Sequence, residues 1–135
     1  MNHRLAKTVF NLWPPFWGAG IKVARIAPDW KQVEVRLRLG LTNRNYVGVH
    51  FGGSLYAMTD PFFMLMTLKN LGNDYIVWDK AGSIDYIKPG RGTVTAHFHL
   101  DLQDGIVNFV DFDQHVHRVP VPCIGFREAR KTVVG

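Results

Sequence analysis

Between Asn45 and Asp60 the chain sets an amide (Asn45), an isolated glycine (Gly48), a glycine pair (Gly52-Gly53) and a carboxylate (Asp60) ahead of a long apolar segment. Such a set can polarise a carbonyl and activate a water. Adjacent glycines let a ligand approach the backbone closely. They also leave amide N–H groups unpaired where a helix is expected to begin, which favours developing negative charge. Asp60 lies about two helical turns further on and is the candidate base.

These residues need a scaffold, and the apolar periodicity supplies one. Residues 3–13 repeat apolar side chains at three- and four-residue intervals and stop at Pro14-Pro15, which predicts a short N-terminal helix. Residues 21–27 and 31–39 alternate apolar with polar side chains across Pro28-Asp29, the pattern of a hairpin. Residues 54–71 are apolar on nearly all sides and end at Gly72, so they predict a long, mostly buried helix. Pro61 lies inside it, removing one helical hydrogen bond and pushing Asp60 out of helical geometry, so a kink or restart is expected there. Strands are then expected over 75–87, after the Lys88–Gly92 turn over 93–102, and more weakly over 106–112, 115–123 and 125–134. Val94, Ala96, Phe98 and Leu100 share one face of the 93–102 strand. The region 111–135 is the hardest to read, because Pro120 and Pro122 stand where a central strand has no proline.

The chain has 135 residues, 47% of them apolar, with no uninterrupted apolar run long enough to span a bilayer, so one globular domain over 1–135 is expected and no membrane insertion. Asn11 and Pro14-Pro15 interrupt any signal-peptide core near the N-terminus, and a cytoplasmic location is expected. The single cysteine, Cys123, has no internal disulfide partner and no metal-ligand spacing around it, so a buried, inert thiol is expected. The net charge of +5 admits anionic partners. Arg36 and Arg38 alternate with apolar residues as on a solvated strand face, and no basic run or RNA-binding aromatic motif is present. Nucleic acid is therefore not expected as a partner, and a phosphate-bearing small molecule fits better.

One long helix among short antiparallel strands reads as an α+β chain, a curved sheet wrapped around a central helix, the hotdog arrangement. Asn45, Gly48, Gly52, Gly53 and Asp60 resemble, in register, the asparagine, glycines and aspartate of phenylacetyl-CoA-type acyl-CoA thioesterases. Together with residues 74–80 and 84–92, the chain looks most like a bacterial branch of that superfamily known as a domain of unknown function; the resemblance covers about residues 20–102. It implies that Asp60 activates water or attacks the thioester carbonyl, that the Gly52 N–H faces the carbonyl oxygen, and that Asn45 assists the carbonyl or positions the water. It also implies a site shared across a homodimer, or a tetramer, with the carboxylate of one subunit facing the glycine of the other. No cofactor is implied beyond coenzyme A as part of the acyl thioester substrate. One departure stands out. Phe51 replaces the histidine that usually precedes the glycine pair, and His50 sits one place earlier, where an extended chain would turn it to the opposite face.

The expected substrate contacts are Gly53, His50 and Phe51 around the oxyanion donor, Tyr56 and Phe63 along an acyl tunnel lined also by Met58, Phe62 and Met66, Asp79 and Lys80 in an otherwise apolar strand, and Lys88 and Arg91 as a clamp for coenzyme A phosphates. Each residue also has a plainer reading. The glycine pair can simply allow close packing, and Asn45 can terminate a turn. Asp60 can cap a helical segment opened by Pro61. Asp79 and Lys80 can be an exposed edge pair, and Lys88 and Arg91 solvated turn charges. His97, His99, His115 and His117 alternate along two strands, yet lack an acidic or cysteine ligand at known spacing, so no metal is expected. Two functions follow, an acyl-CoA or acyl-carrier thioesterase and a non-catalytic hotdog domain binding acyl or other hydrophobic ligands; a purely structural partner domain is a third.

Overall fold

A computed structural model of the chain describes residues 1–101, 107–113, 117–118 and 123–128. In chain order the elements are α1 His3–Leu12, α2 Pro14–Ala19, β1 Ile21–Ile26, β2 Gln32–Arg38, α3 Gly52–Ala57, α4 Phe62–Leu71, β3 Tyr75–Ala81, β4 Asp85–Tyr86, β5 Thr93–Asp101, β6 Val107–Phe112, β7 His117–Arg118 and β8 Cys123–Glu128. An antiparallel sheet runs β1-β2-β5-β6, while β3 pairs with β8 and β4 with β7, also antiparallel.

The sheet follows from two-residue alternation. Val33, Val35 and Leu37 of β2 stand opposite Phe98, Ala96 and Val94 of β5, and all six are buried. Phe62, Phe63 and Met66 of α4 cover that face, with the Phe62 and Phe63 rings 5.1 and 5.3 Å from the Phe98 ring. Each large apolar side chain so buried stabilises the fold by about 1.5–3 kcal/mol. An antiparallel sheet packed on a central helical segment is the hotdog fold expected from the sequence.

Several elements differ from expectation in instructive ways. Pro14-Pro15 do end α1, but they also occupy the first positions of α2, where a missing N–H is harmless. Asn11 of α1 donates to the Val23 carbonyl (3.1 Å) and accepts the Val23 N–H (2.8 Å), so α1 satisfies backbone groups of β1. The hairpin turn between β1 and β2 closes with Trp30 at φ 57, a conformation uncommon for a bulky residue. Burial of Trp30, an Asn70 bond to its carbonyl (3.3 Å) and the Lys69 ammonium 5.4 Å from its ring centre hold it there.

The long helix is two helices. α3 stops at Ala57 and α4 restarts at Phe62, because Pro61 has no N–H to bond back into the preceding turn and its ring disfavours helical geometry at Asp60. Thr59 fills the gap, its N–H and Oγ1 both donating to the Tyr56 carbonyl (2.9 and 2.7 Å). Likewise, the strand expected over 75–87 is interrupted after Ala81 and resumes only as the short β4. In the C-terminal region the last strand begins at Cys123 rather than Gly125, and of the strand expected over 115–123 only β7 and the first residue of β8 fall among the described residues. His115, Pro120, Pro122 and the side chains of His117 and Cys123 lie outside the described residues.

Candidate active site

The break between α3 and α4 places Asp60 at the surface rather than inside a helix. The alternative role of helix cap does not apply, since the cap position of α4 is Pro61 and no side chain bonds to its first turn. Among the described residues the Asp60 carboxylate has no hydrogen bond and no ion pair. It opens into a cavity of about 190 Å³ bounded also by Tyr56, Thr59, Phe63, Asp79, Lys80, Ala81 and Gly82.

β3 brings Asp79 and Lys80 there together. Strict alternation would put neighbouring residues on opposite faces, but the β3–β8 register slips between Asp79 and Ala81, leaving Lys80 as the extra residue of a bulge. Bulges re-aim side chains in this way, so a carboxylate and an ammonium both border the cavity. The Asp79 carboxyl is held above the ordinary value of 3.8, first by loss of water around its charged form and second by the negative charge of Asp60. The cavity thus holds two neighbouring carboxylates, Asp79 being inclined to keep its proton, beside the Lys80 ammonium. Thr59, Ala81 and Gly82 were not expected in it. Thr59 adjoins Asp60, and Gly82 ends the apolar strand where the Tyr56 hydroxyl comes against it.

The remaining predicted site residues form a second group, at the other end of α3. Gly52 and Gly53 open that helix, and among the described residues neither N–H has an acceptor. A Cβ at Gly52 would lie 2.9 Å from the Tyr86 ring, and the Tyr86 hydroxyl donates to the Gly52 carbonyl (2.8 Å); a Cβ at Gly53 would lie 2.6 Å from the Phe51 ring. Both glycines therefore make room for aromatic rings. Phe51 itself is exposed.

Asn45 Oδ1 accepts the N–H groups of Val47 and Val49 (both 3.1 Å), so its carbonyl end serves its own loop, while Nδ2 donates to none of the described residues. His50 is buried with Nε2 donating to the Gly92 carbonyl (2.8 Å), and its backbone N–H donates to the Gly90 carbonyl (3.1 Å). These two bonds tie the Lys88–Gly92 turn to the glycine loop. Lys88 and Arg91 are exposed on that turn. In one chain, then, Asp60, Asp79, Lys80, Tyr56 and Phe63 border one cavity, while Gly52, Gly53 and Phe51 lie at the start of α3, next to the loop that His50 ties to the Lys88–Gly92 turn.

His97 and His99 are half-buried on the outer face of β5, opposite Glu34 and Gln32 of β2.

A family model described as Domain of unknown function (DUF4442) matches residues 2–135. The chain belongs to the DUF4442 family. No curated protein matches this DUF4442 chain significantly. Solved structures do. A Pseudomonas aeruginosa protein of unknown function, described as a probable thioesterase, is 14% identical with a TM-score of 0.74, covering 93% of this chain and 95% of its own. A Haemophilus influenzae thioesterase is 16% identical with a TM-score of 0.66, over 95% of this chain and 87% of its own. A Shewanella oneidensis protein related to the thioesterase superfamily is 17% identical with a TM-score of 0.65, over 93% of each chain. At these identities the likeness establishes that the DUF4442 chain shares the fold of thioesterase-superfamily proteins.

Proposed function

We propose that the chain hydrolyses an acyl thioester, of coenzyme A or an acyl carrier, at a site completed by a second copy. The observation that carries this reading is the Asp60 carboxylate, unpaired among the described residues and set at a helix break in a cavity with Asp79 and Lys80. In the proposed reaction Asp60 takes a proton from water as the water oxygen bonds to the thioester carbonyl carbon. Donors preorganised around the carbonyl oxygen, the Gly52 N–H and Asn45 Nδ2 of the second copy, hold the oxyanion. Its collapse breaks the carbon–sulfur bond, and the leaving thiolate takes the proton from Asp60, giving a carboxylic acid and a thiol. Asp79 and Lys80 orient the water and carbonyl, Phe63 and Tyr56 border the acyl group, and Lys88 and Arg91 meet the phosphates.

The split of these residues into two groups within one chain supports a homodimeric site, as do the exposed apolar side chains Leu41, Tyr46, Val47 and Phe51 around the glycine loop. Thiol release from a panel of acyl-CoA esters tests the proposal; absence of turnover at every chain length refutes it. The second reading, a non-catalytic binder of acyl groups, is favoured by Tyr86 lying against Gly52. Acyl-CoA bound without turnover is its signature.

A further inference from the structure

The N-terminal helices carry more apolar surface than the fold uses. On α1, Ala6 and Phe10 face the core, Phe10 packing on the Phe16 and Phe62 rings at 5.8 Å each. Leu5, Val9 and Leu12 continue the same apolar arc around the helix but face outward, and the following Trp13 packs one side on the Phe10 and Phe16 rings (6.3 and 5.2 Å) while its other side stays open to solvent. Leu12 is 73% exposed and Trp17 of α2 is 77% exposed. The rest of α1 is polar and carries Arg4 and Lys7, and no acidic residue occurs before Asp29. A surface groove of about 840 Å³ begins at Trp17 and Asn11 and runs beside Lys22, Arg36 and Arg38. Among the described residues Glu34 pairs with Arg36 at 2.6 Å.

We propose that the α1–α2 arm seats the protein on the surface of a bilayer containing anionic lipid. The outward stripe beds at the boundary between headgroups and acyl chains, Trp13 and Trp17 lie at headgroup level, and Arg4, Lys22 and Arg38 meet lipid phosphates. An amphipathic helix with an aromatic and aliphatic face, and with only cations (Arg4 and Lys7) among the charged residues of its polar side, has the composition of an interfacial helix. The charge pattern selects this occupant, because a bilayer surface supplies apolar and anionic groups side by side over the extent of the arm. The seat is peripheral, since among the described residues no helix is long and apolar enough to cross a membrane.

The test is sedimentation of the full chain with vesicles of phosphatidylcholine alone or with about a third phosphatidylglycerol. The mixed vesicles are expected to bind at least tenfold more tightly, with affinity falling as salt is raised. Leu12→Glu with Trp17→Glu, both on exposed positions, is expected to weaken binding at least tenfold while leaving the thermal melt unchanged. Lys22→Glu and Arg38→Glu are each expected to weaken it at least fivefold, the loss of a cation worth about 1 kcal/mol at an anionic surface. The proposal is overturned by equal binding to both vesicles, by no binding to either, or by binding unaffected by these variants. It is also overturned if Leu12→Glu with Trp17→Glu dissociates a dimer of the free protein while the parent fails to sediment with vesicles, which would make the stripe a contact between two copies.

Discussion

Replacing Asp60 with asparagine separates chemistry from architecture, because the carboxylate performs no bonding role in the fold that the described residues reveal. Asp60 is exposed, caps nothing and pairs with nothing among those residues, and asparagine keeps its size. Unfolding free energy is therefore expected to change by no more than about 0.5 kcal/mol. A general base contributes roughly 10²–10⁴-fold to rate, which corresponds to about 2.7–5.4 kcal/mol of barrier. The catalytic effect then exceeds the structural one by at least about fivefold in free energy. The assay is continuous thiol release from the best acyl-CoA substrate of the parent protein, paired with urea unfolding of both proteins. Hydrolysis within about threefold of the parent refutes the assignment of Asp60. So would a loss of activity matched by a loss of several kcal/mol of stability, which would make Asp60 structural.

Because Asp79 holds its proton above 3.8, the folded protein stays protonated in a window where the unfolded chain has already ionised, and stability from this group declines as pH rises through that window. Asp79→Asn is expected to remove that decline in urea midpoints measured at stepped pH; Asp60→Asn should shrink but not abolish it, since loss of water is the larger cause. If the site is shared between two copies related by a two-fold axis, mixing inactive Asp60→Asn with inactive Asn45→Ala after dissociation should restore about a quarter of parental turnover: half of the dimers are mixed and each carries one intact site. No recovery places the site within a single chain. Phe62→Ala empties the junction of the Phe10, Phe16 and Phe98 rings and is expected to cost about 3–5 kcal/mol by urea unfolding; a cost below about 1 kcal/mol contradicts the packing described.

The scaffold was legible where periodicity and proline speak. Alternation placed β1, β2 and β5 with their inward faces, and Pro61 announced the interruption beside Asp60. What stayed hidden depends on pairing between distant segments. That Lys80 is a bulge residue is set by its register with β8, and no local pattern marks it. Tyr86 against Gly52 and His50 under Gly92 are likewise contacts over 34 and 42 residues of chain. Pro14-Pro15 misled differently: a proline that stops one helix is equally suited to start the next. In the candidate site, residue types were readable, but the division into two groups was not, because it follows from how far α3 carries Asp60 from Gly52.

The small bridge from Asn11 to Val23 bears on how copies of this protein can assemble. A strand adding to the flank of β1 would need the Val23 amide and carbonyl, and both are already taken by a side chain of the same molecule. Growth of the sheet by end-to-end joining is thus barred on that side, so a pair formed through backbone pairing must meet at another margin and, once formed, presents blocked flanks that discourage open-ended fibres.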